Sequence, residues 1–307
     1  MASGEAAATA QWQADFLRRE RLPQSYLATA QQYFDPLVDR ILAAVSARNT
    51  TLLVGINGSQ GSGKTTLCAY LVAALAARQA CRAVALSLDD FYLTRSERAE
   101  LAAAVHPLLR TRGVPGTHDT SLLAATLEAL RGQGAAPGDV AVPAFDKARD
   151  DRRPERDWPR VGLPVDVVLL EGWCLGARSV DAAALEQPLN ALERSEDPEG
   201  HWRAFSNDCL REHYEPIYRC IDLWVMLAAP SFEQVLGWRQ EQEEKLRAAV
   251  GGHGDGLMNP AQLERFVAHF ERQTRACLAQ LPASVDVLFK LDAARQIASC
   301  RGLEGAA

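Results

Sequence analysis

The sequence carries no surplus of positive charge: 33 Lys and Arg stand against 39 Asp and Glu, for a net charge of −6. That balance argues against a nucleic-acid binder working through a broad basic face, while leaving room for a cluster of cations around a small anion. Long apolar runs are missing as well. Val165–Leu170 and Leu223–Pro230 fall far short of the ~20 residues that a membrane-spanning helix needs. Met1–Ala10 has no basic segment followed by an apolar stretch, so it does not read as a signal peptide, and the expectation is a cytoplasmic protein. The seven cysteines form no C-x-x-C pair and no zinc-like spacing, and their number is odd, which favours reduced thiols over a disulfide framework. Cys209 and His213 share a helical spacing, but two ligands do not make a tetrahedral site. No Asn-Lys-x-Asp guanine motif and no internal repeat is present.

What is present is an ordinary globular composition. Across 307 residues, 48% are hydrophobic and 23% charged, enough for one large α/β domain with or without a small appendage. Alanine is very abundant and the basic residues are almost all Arg, a bias that a GC-rich genome alone can produce, so alanine runs carry little weight as helix signals. Residues 1–10 read as disordered, and Gln11–Ala47 as two amphipathic helices broken near Pro23. Strand-like runs follow at Thr51–Asn57, Ala83–Leu88, Val165–Leu170, Ile221–Leu227 and Val285–Lys290, with a short one at Val140–Pro143. Helical patterns lie between them, at about Lys64–Arg78, Arg95–Val105, Thr120–Arg131, Ser231–Val250 and Pro260–Leu281. Phe145–Arg160, dense in Asp, Arg and Pro, reads as an exposed loop. Gly251–Gly256 reads as a flexible connector, since it lacks the acid spacing of a calcium loop. Strands alternating with helices imply a parallel sheet with crossover helices.

Gly58-Ser59-Gln60-Gly61-Ser62-Gly63-Lys64-Thr65 fits the phosphate-loop pattern G-x-x-x-x-G-K-[ST], with a strand running in and a helix running out. Glycines let successive N–H groups turn inward toward phosphate oxygens, and the helix adds its positive end. These eight residues and Thr66 are the expected nucleotide-binding set, with Lys64 on the β- and γ-phosphates and the Thr65 hydroxyl on Mg²⁺.

In an open α/β sheet, ligands sit at the carboxyl ends of the strands. Glu171 directly follows Val165–Leu170, where a carboxylate can hold Mg²⁺ through its water shell; the alternative is an acid capping the turn. Asp89 and Asp90 end the second strand. Phosphorylating an alcohol needs a carboxylate beside the attacking hydroxyl, and Asp89 is the choice for that base, with Asp90 bonding substrate or starting the next helix. Solvated turn acids remain the alternative for both. Asp119 reads as an N-cap of Thr120–Arg131.

Taken together, Gly58–Thr65, Ser87–Tyr92 and Leu169–Trp173 resemble the P-loop kinases of small metabolites: uridine kinases, phosphoribulokinase, bacterial pantothenate kinase and, most of all, the D-glycerate 3-kinases. The last resemblance rests on Asp89–Thr94, Glu171–Gly176, Gly113–Asp119, Phe145–Lys147 and Trp238-Arg239, and spans about residue 50 to the end. It implies a three-layer αβα fold with a five-stranded parallel sheet in the order 2-3-1-4-5, the Glu171 strand lying beside the phosphate-loop strand. It further implies an N-terminal helical extension over 1–50, a kinase domain over 51–307 with a helical lid at 231–280, and use of ATP and Mg²⁺. Arg239 is then the lid residue that stabilises the transferring phosphoryl group, beside Lys245 and Arg247 on the same helix. The acceptor would be a small molecule, without nucleic acid or membrane, and the oligomeric state is open. Asp90, Tyr92, His118, Lys147 and Arg149 are its expected contacts, with Arg112, Arg152 and Arg153 as further cations; a packed turn histidine is the alternative for His118, and a solvated loop face for the cations. D-Glycerate leads as acceptor. A nucleoside or pantothenate is the nearest rival, a non-kinase nucleotide switch a more distant one.

Overall fold

The computed structural model describes residues 2–132, 138–249 and 259–303. A six-stranded sheet forms its centre. From one edge the strands run Ile297–Arg301, Val287–Leu291, Leu223–Ala228, Leu52–Gly58, Val167–Gly172 and Ala83–Ser87. The last five are parallel and have the expected 2-3-1-4-5 order. The sixth, Ile297–Arg301, was not expected; it pairs antiparallel with Val287–Leu291. Leu52–Gly58 and Val167–Gly172 are buried along their whole length, as parallel strands covered on both faces must be. They pair Leu52 with Val167 and Ile56 with Glu171, which brings Glu171 beside the start of the phosphate loop.

Helices cover both faces. On one, Leu67, Leu71 and Leu75 of the Lys64–Gln79 helix pack with Phe34, Leu37 and Ile41 from the N-terminal segment and with Phe289 from the sheet. Each fully buried side chain of this size contributes ~1.5–3 kcal/mol, so the N-terminal helices are part of this core. Polar ties reinforce the contact: the Tyr70 hydroxyl donates to Asp35 at 2.6 Å, and Arg78 bridges Asp35 and Asp39 at 2.7 Å each. The first helix runs from Ala2 to Glu20, which corrects the expectation of disorder over residues 1–10. Alanine, discounted as compositional bias, is the strongest helix former.

The opposite face packs Leu123 and Leu127, Tyr214 and Tyr218, and Phe270 against Leu53, Val168 and Leu170. Phe145–Arg160 is not a simple exposed loop. Phe145–Asp146 pairs with Asp151–Arg152 as a short hairpin, and Arg160–Gly162 pairs with Asp139–Ala141. One of its charges, Asp150, draws in partners from outside the segment: the fully buried Arg98 donates to it at 2.9 Å, Arg112 also pairs with it, and both guanidiniums lie over the Phe145 ring, at 5.7 and 5.5 Å. Gly251–Gly256 lies outside the described residues. Among those described, no helix is long and apolar enough to cross a membrane, and no three His, Cys, Asp or Glu side chains cluster as metal ligands.

Candidate active site

The phosphate loop leaves the strand Leu52–Gly58 and enters the helix Lys64–Gln79. Gly61 and Gly63 take φ of 79° and 89°, in the left-handed region that favours glycine, and this turns the chain into the helix. At the helix start, the Thr65 hydroxyl donates to Glu171 Oε1 at 3.0 Å, and Lys64 Nζ lies 3.7 Å from Glu171 Oε2. Glu171 is 4% exposed and, among the described residues, its Oε2 has no hydrogen-bond partner; the buried Ser59 and Ser62 hydroxyls have none there either. A buried carboxylate oxygen and a hydroxyl left for a further partner suit a hard, hydrated cation. The Asn57 side chain was not singled out in the sequence. Its Nδ2 donates to the carbonyls of Trp173 and Leu175, at 3.3 and 2.7 Å, locking the phosphate-loop strand to the turn after Glu171.

Across from this wall stands Asp89, in the 3₁₀ turn Leu88–Phe91 that closes the second strand. Tyr92 donates its hydroxyl to Asp89 Oδ1 at 3.2 Å, and Lys147 its ammonium to Oδ2 at 2.8 Å. Burial would raise the Asp89 carboxyl. The Lys147 ammonium, with Lys64 behind it, instead holds it below the usual carboxylate range. Asp90 accepts the Phe145 N–H at 3.0 Å and so anchors the hairpin that carries Lys147; burial raises its carboxyl despite that bond. Tyr92 is buried, stacked on His118 at 4.3 Å and edge-on to Phe145 at 5.4 Å. Asp119 caps its helix, accepting from Leu122 at 2.9 Å, and also binds Arg152 at 3.0 Å. Asp89, Asp90, Tyr92, His118 and Lys147 therefore come together. Arg149 does not join them: its side chain is 84% exposed and its partner is Asp146 at 3.8 Å.

Arg239 lies on the helix Phe232–Ala249, its guanidinium 5.8 Å from the Phe266 ring centre. It lines a narrow gap together with Gln60 of the phosphate loop and Phe270 of the helix Pro260–Gln280. Trp238 next to it is fully buried and donates its indole N–H to the Ala293 carbonyl at 2.9 Å, which fixes the helix against the sheet. The side chains of Lys245 and Arg247 lie outside the described residues.

A phosphate loop at the end of a central parallel strand, an acid on the neighbouring strand end and a second acid opposite it define a nucleotide-dependent P-loop kinase. No family model matches the chain. It is 33% identical over 77% of its length to the uncharacterized kinase mug58 of Schizosaccharomyces pombe, covering 86% of that protein. It is 31% identical over 76% of its length to the chloroplastic D-glycerate 3-kinase of Arabidopsis thaliana, about half of whose length (49%) it spans. Among solved structures, a D-glycerate 3-kinase from Cryptococcus neoformans superposes with a TM-score of 0.71 at 25% identity, over 89% of this chain and 99% of that one. The YGR205w protein shares the fold, with a TM-score of 0.64 at 24% identity over 90% of this chain and 96% of that one. The chain belongs to the P-loop kinases of small metabolites, in the branch that includes the D-glycerate 3-kinases; it is an ATP-dependent enzyme that phosphorylates an alcohol group.

Proposed function

We propose that the acceptor is D-glycerate and the product 3-phosphoglycerate, with Mg²⁺ as the working cation and the cytoplasm as the working compartment. One observation carries the choice of acceptor: the Lys147 ammonium sits on Asp89, so a cation and the candidate base share one spot at the strand end. A small hydroxy acid needs that pairing, a base for its hydroxyl and a positive charge for its carboxylate. The relatives named D-glycerate 3-kinase support the same reading. A nucleoside fits less well. The rings it would stack on are already engaged, Tyr92 with His118 and Phe145 beneath Arg98 and Arg112.

ATP, when bound, supplies the γ-phosphoryl group. The backbone N–H groups of Gly58–Gly63 cradle its phosphates, and Lys64 neutralises charge on them. The Thr65 hydroxyl and the Glu171 carboxylate would hold the magnesium ion, which would neutralise charge on the phosphates. Asp89 orients the acceptor hydroxyl and accepts its proton. Lys147 binds the acceptor carboxylate as the hairpin Phe145–Arg152 closes over it. Arg239 meets the developing negative charge from the side of residues 231–280, which act as a lid on the domain spanning 51–307. Residues 1–50 are read as a helical extension, whose Phe16, Phe34, Leu37 and Ile41 share a core with the phosphate-loop helix. The test is a panel of glycerate, nucleosides, pantothenate and sugar alcohols offered with MgATP. Turnover of glycerate above the others is expected; a nucleoside or pantothenate turned over faster reassigns the acceptor.

A further inference from the structure

Tyr214 ends a π-helical turn, Leu210–Tyr214, two residues before Pro216. A proline inside a helix has no N–H to give and crowds the carbonyl four residues back, and here the helix widens instead of breaking. The wider turn leaves the Tyr214 side chain buried, 1% exposed, against the Gly113–His118 segment. Gly116 permits the approach. Its φ is 99°, and a Cβ there would lie 2.7 Å from the Phe205 ring and 3.1 Å from Cys209 Sγ.

Two groups meet the phenol oxygen: the Gly116 backbone N–H donates to it at 3.1 Å, and His118 Nδ1 lies 2.7 Å away. A backbone N–H only donates, so Gly116 offers the phenol's own proton no acceptor. That proton goes to Nδ1, its one acceptor among the described residues. Burial pushes the Tyr214 hydroxyl well above its ordinary range, so that proton stays on it. A ring nitrogen that accepts an O–H carries no proton, which leaves the proton of a neutral His118 on Nε2. Burial lowers His118 to about 4, with Asp89 opposing, so the ring is neutral at pH 7. His118 is 4% exposed, and its Nε2 has no hydrogen-bond partner among the described residues. Its ring lies on Tyr92, whose hydroxyl is bound to Asp89.

We propose that Tyr214 is a positioning residue: it fixes His118 as the Nε2–H tautomer, so that a neutral N–H donor is presented to an acceptor oxygen beside Asp89. The proposal rests on the reading that the acceptor binds at Asp89. A neutral donor suits that place, because Asp89 already has the Lys147 ammonium as its cationic partner, at 2.8 Å, and a second cation would tie the base down further. An uncharged N–H binds an acceptor oxygen without adding a charge beside the base.

Long-range ¹H–¹⁵N correlation spectra of the labelled protein report the tautomer directly, with His118 assigned by the signal lost in His118→Gln. The Nε2–H form is expected in the wild type, and a mixed or Nδ1–H population in Tyr214→Phe. In steady-state kinetics Tyr214→Phe is expected to raise KM for the acceptor about tenfold, the scale of one badly presented hydrogen bond, with KM for ATP unchanged. An Nδ1–H tautomer in the wild type overturns the proposal. So does a Tyr214→Phe enzyme with the wild-type acceptor KM, or one whose acceptor and ATP parameters worsen together. The spectra need no substrate. If no acceptor on the panel is turned over, the acceptor reading fails while the tautomer still decides the role of Tyr214.

Discussion

Replacing Asp89 with Asn tests the chemistry most directly, because the two side chains have nearly the same shape and differ in whether they can take a proton. In Asp89→Asn the amide oxygen can still accept from the Tyr92 hydroxyl, now at 3.2 Å, so the 3₁₀ turn keeps its internal bond. What is lost is the 2.8 Å pair with Lys147, whose side chain is 61% exposed and can rehydrate. A pair this open contributes ~0–1 kcal/mol, which in a chain of this size shifts the melting temperature by no more than about 4 °C. The phosphate loop and Glu171 do not touch Asp89 through any of these bonds, so ATP affinity is expected to stay within about twofold. Transfer should suffer far more, since a positioned base contributes ~10²- to 10⁴-fold, or roughly 3–5 kcal/mol of barrier. Three measurements on one preparation separate the effects: kcat by coupled assay, nucleotide affinity by calorimetry, and melting by fluorescence. A kcat within about tenfold of wild type would remove Asp89 from the role of base. Parallel loss of kcat and ATP affinity would make it a structural acid.

Glu171→Gln removes the carboxylate that meets Thr65 and Lys64; the Mg²⁺ concentration for half-maximal rate is expected to rise at least ~10-fold, and an unchanged titration would refute its role at the cation. Lys147→Met removes the group that holds Asp89 below the usual carboxylate range, so burial prevails and the Asp89 carboxyl rises. Because the base must be ionised, the acid limb of kcat/KM is expected to move to higher pH, and a limb that stays put or moves down contradicts the pairing. Phe34 is 4% exposed and meets the Tyr26, Tyr70 and Phe289 rings at 6.0, 5.9 and 5.7 Å. Phe34→Ala is expected to cost ~3–5 kcal/mol, read by denaturant unfolding; a loss under about 1 kcal/mol would mean that the N-terminal helices are not part of the core.

The central parallel strands, Leu52–Gly58 and Val167–Gly172, were legible because burial on both faces leaves them almost wholly apolar, and the carboxyl ends of the parallel strands pointed to Glu171 and Asp89. Ile297–Arg301 had no such signature. It is an edge strand, half-exposed along its length, and its composition Ile-Ala-Ser-Cys-Arg carries neither an apolar run nor a clean alternation. The hairpin Phe145–Arg152 was hidden for the opposite reason. Charge density usually marks a solvated loop, but Arg98 and Arg112, some forty to fifty residues upstream, pair with Asp150 and pin it over Phe145. A single window of sequence contains the charges without their partners.

The same distinction separates the two walls of the site. The phosphate wall is built from the backbone of one continuous run, Gly58–Thr65, so its function follows from local conformation and survives in a short motif. The acceptor wall has no such run. Asp89 and Tyr92, His118, Lys147 and Tyr214 arrive from four separate segments, and the chemistry of each is set by a neighbour distant in sequence. Asp89 is kept ionised by a lysine 58 positions away, and the tautomer of His118 is set by a phenol 96 positions away. Pro216 within a helical stretch was a visible cue that the helix near Tyr214 deviates, but not of where the displaced side chain points. Residue types could therefore nominate His118 as a substrate contact. Burial keeps the ring uncharged; whether its Nε2 offers a proton or a lone pair depends on Tyr214, and on that choice rests how the proposed anionic acceptor is bound beside the proposed base.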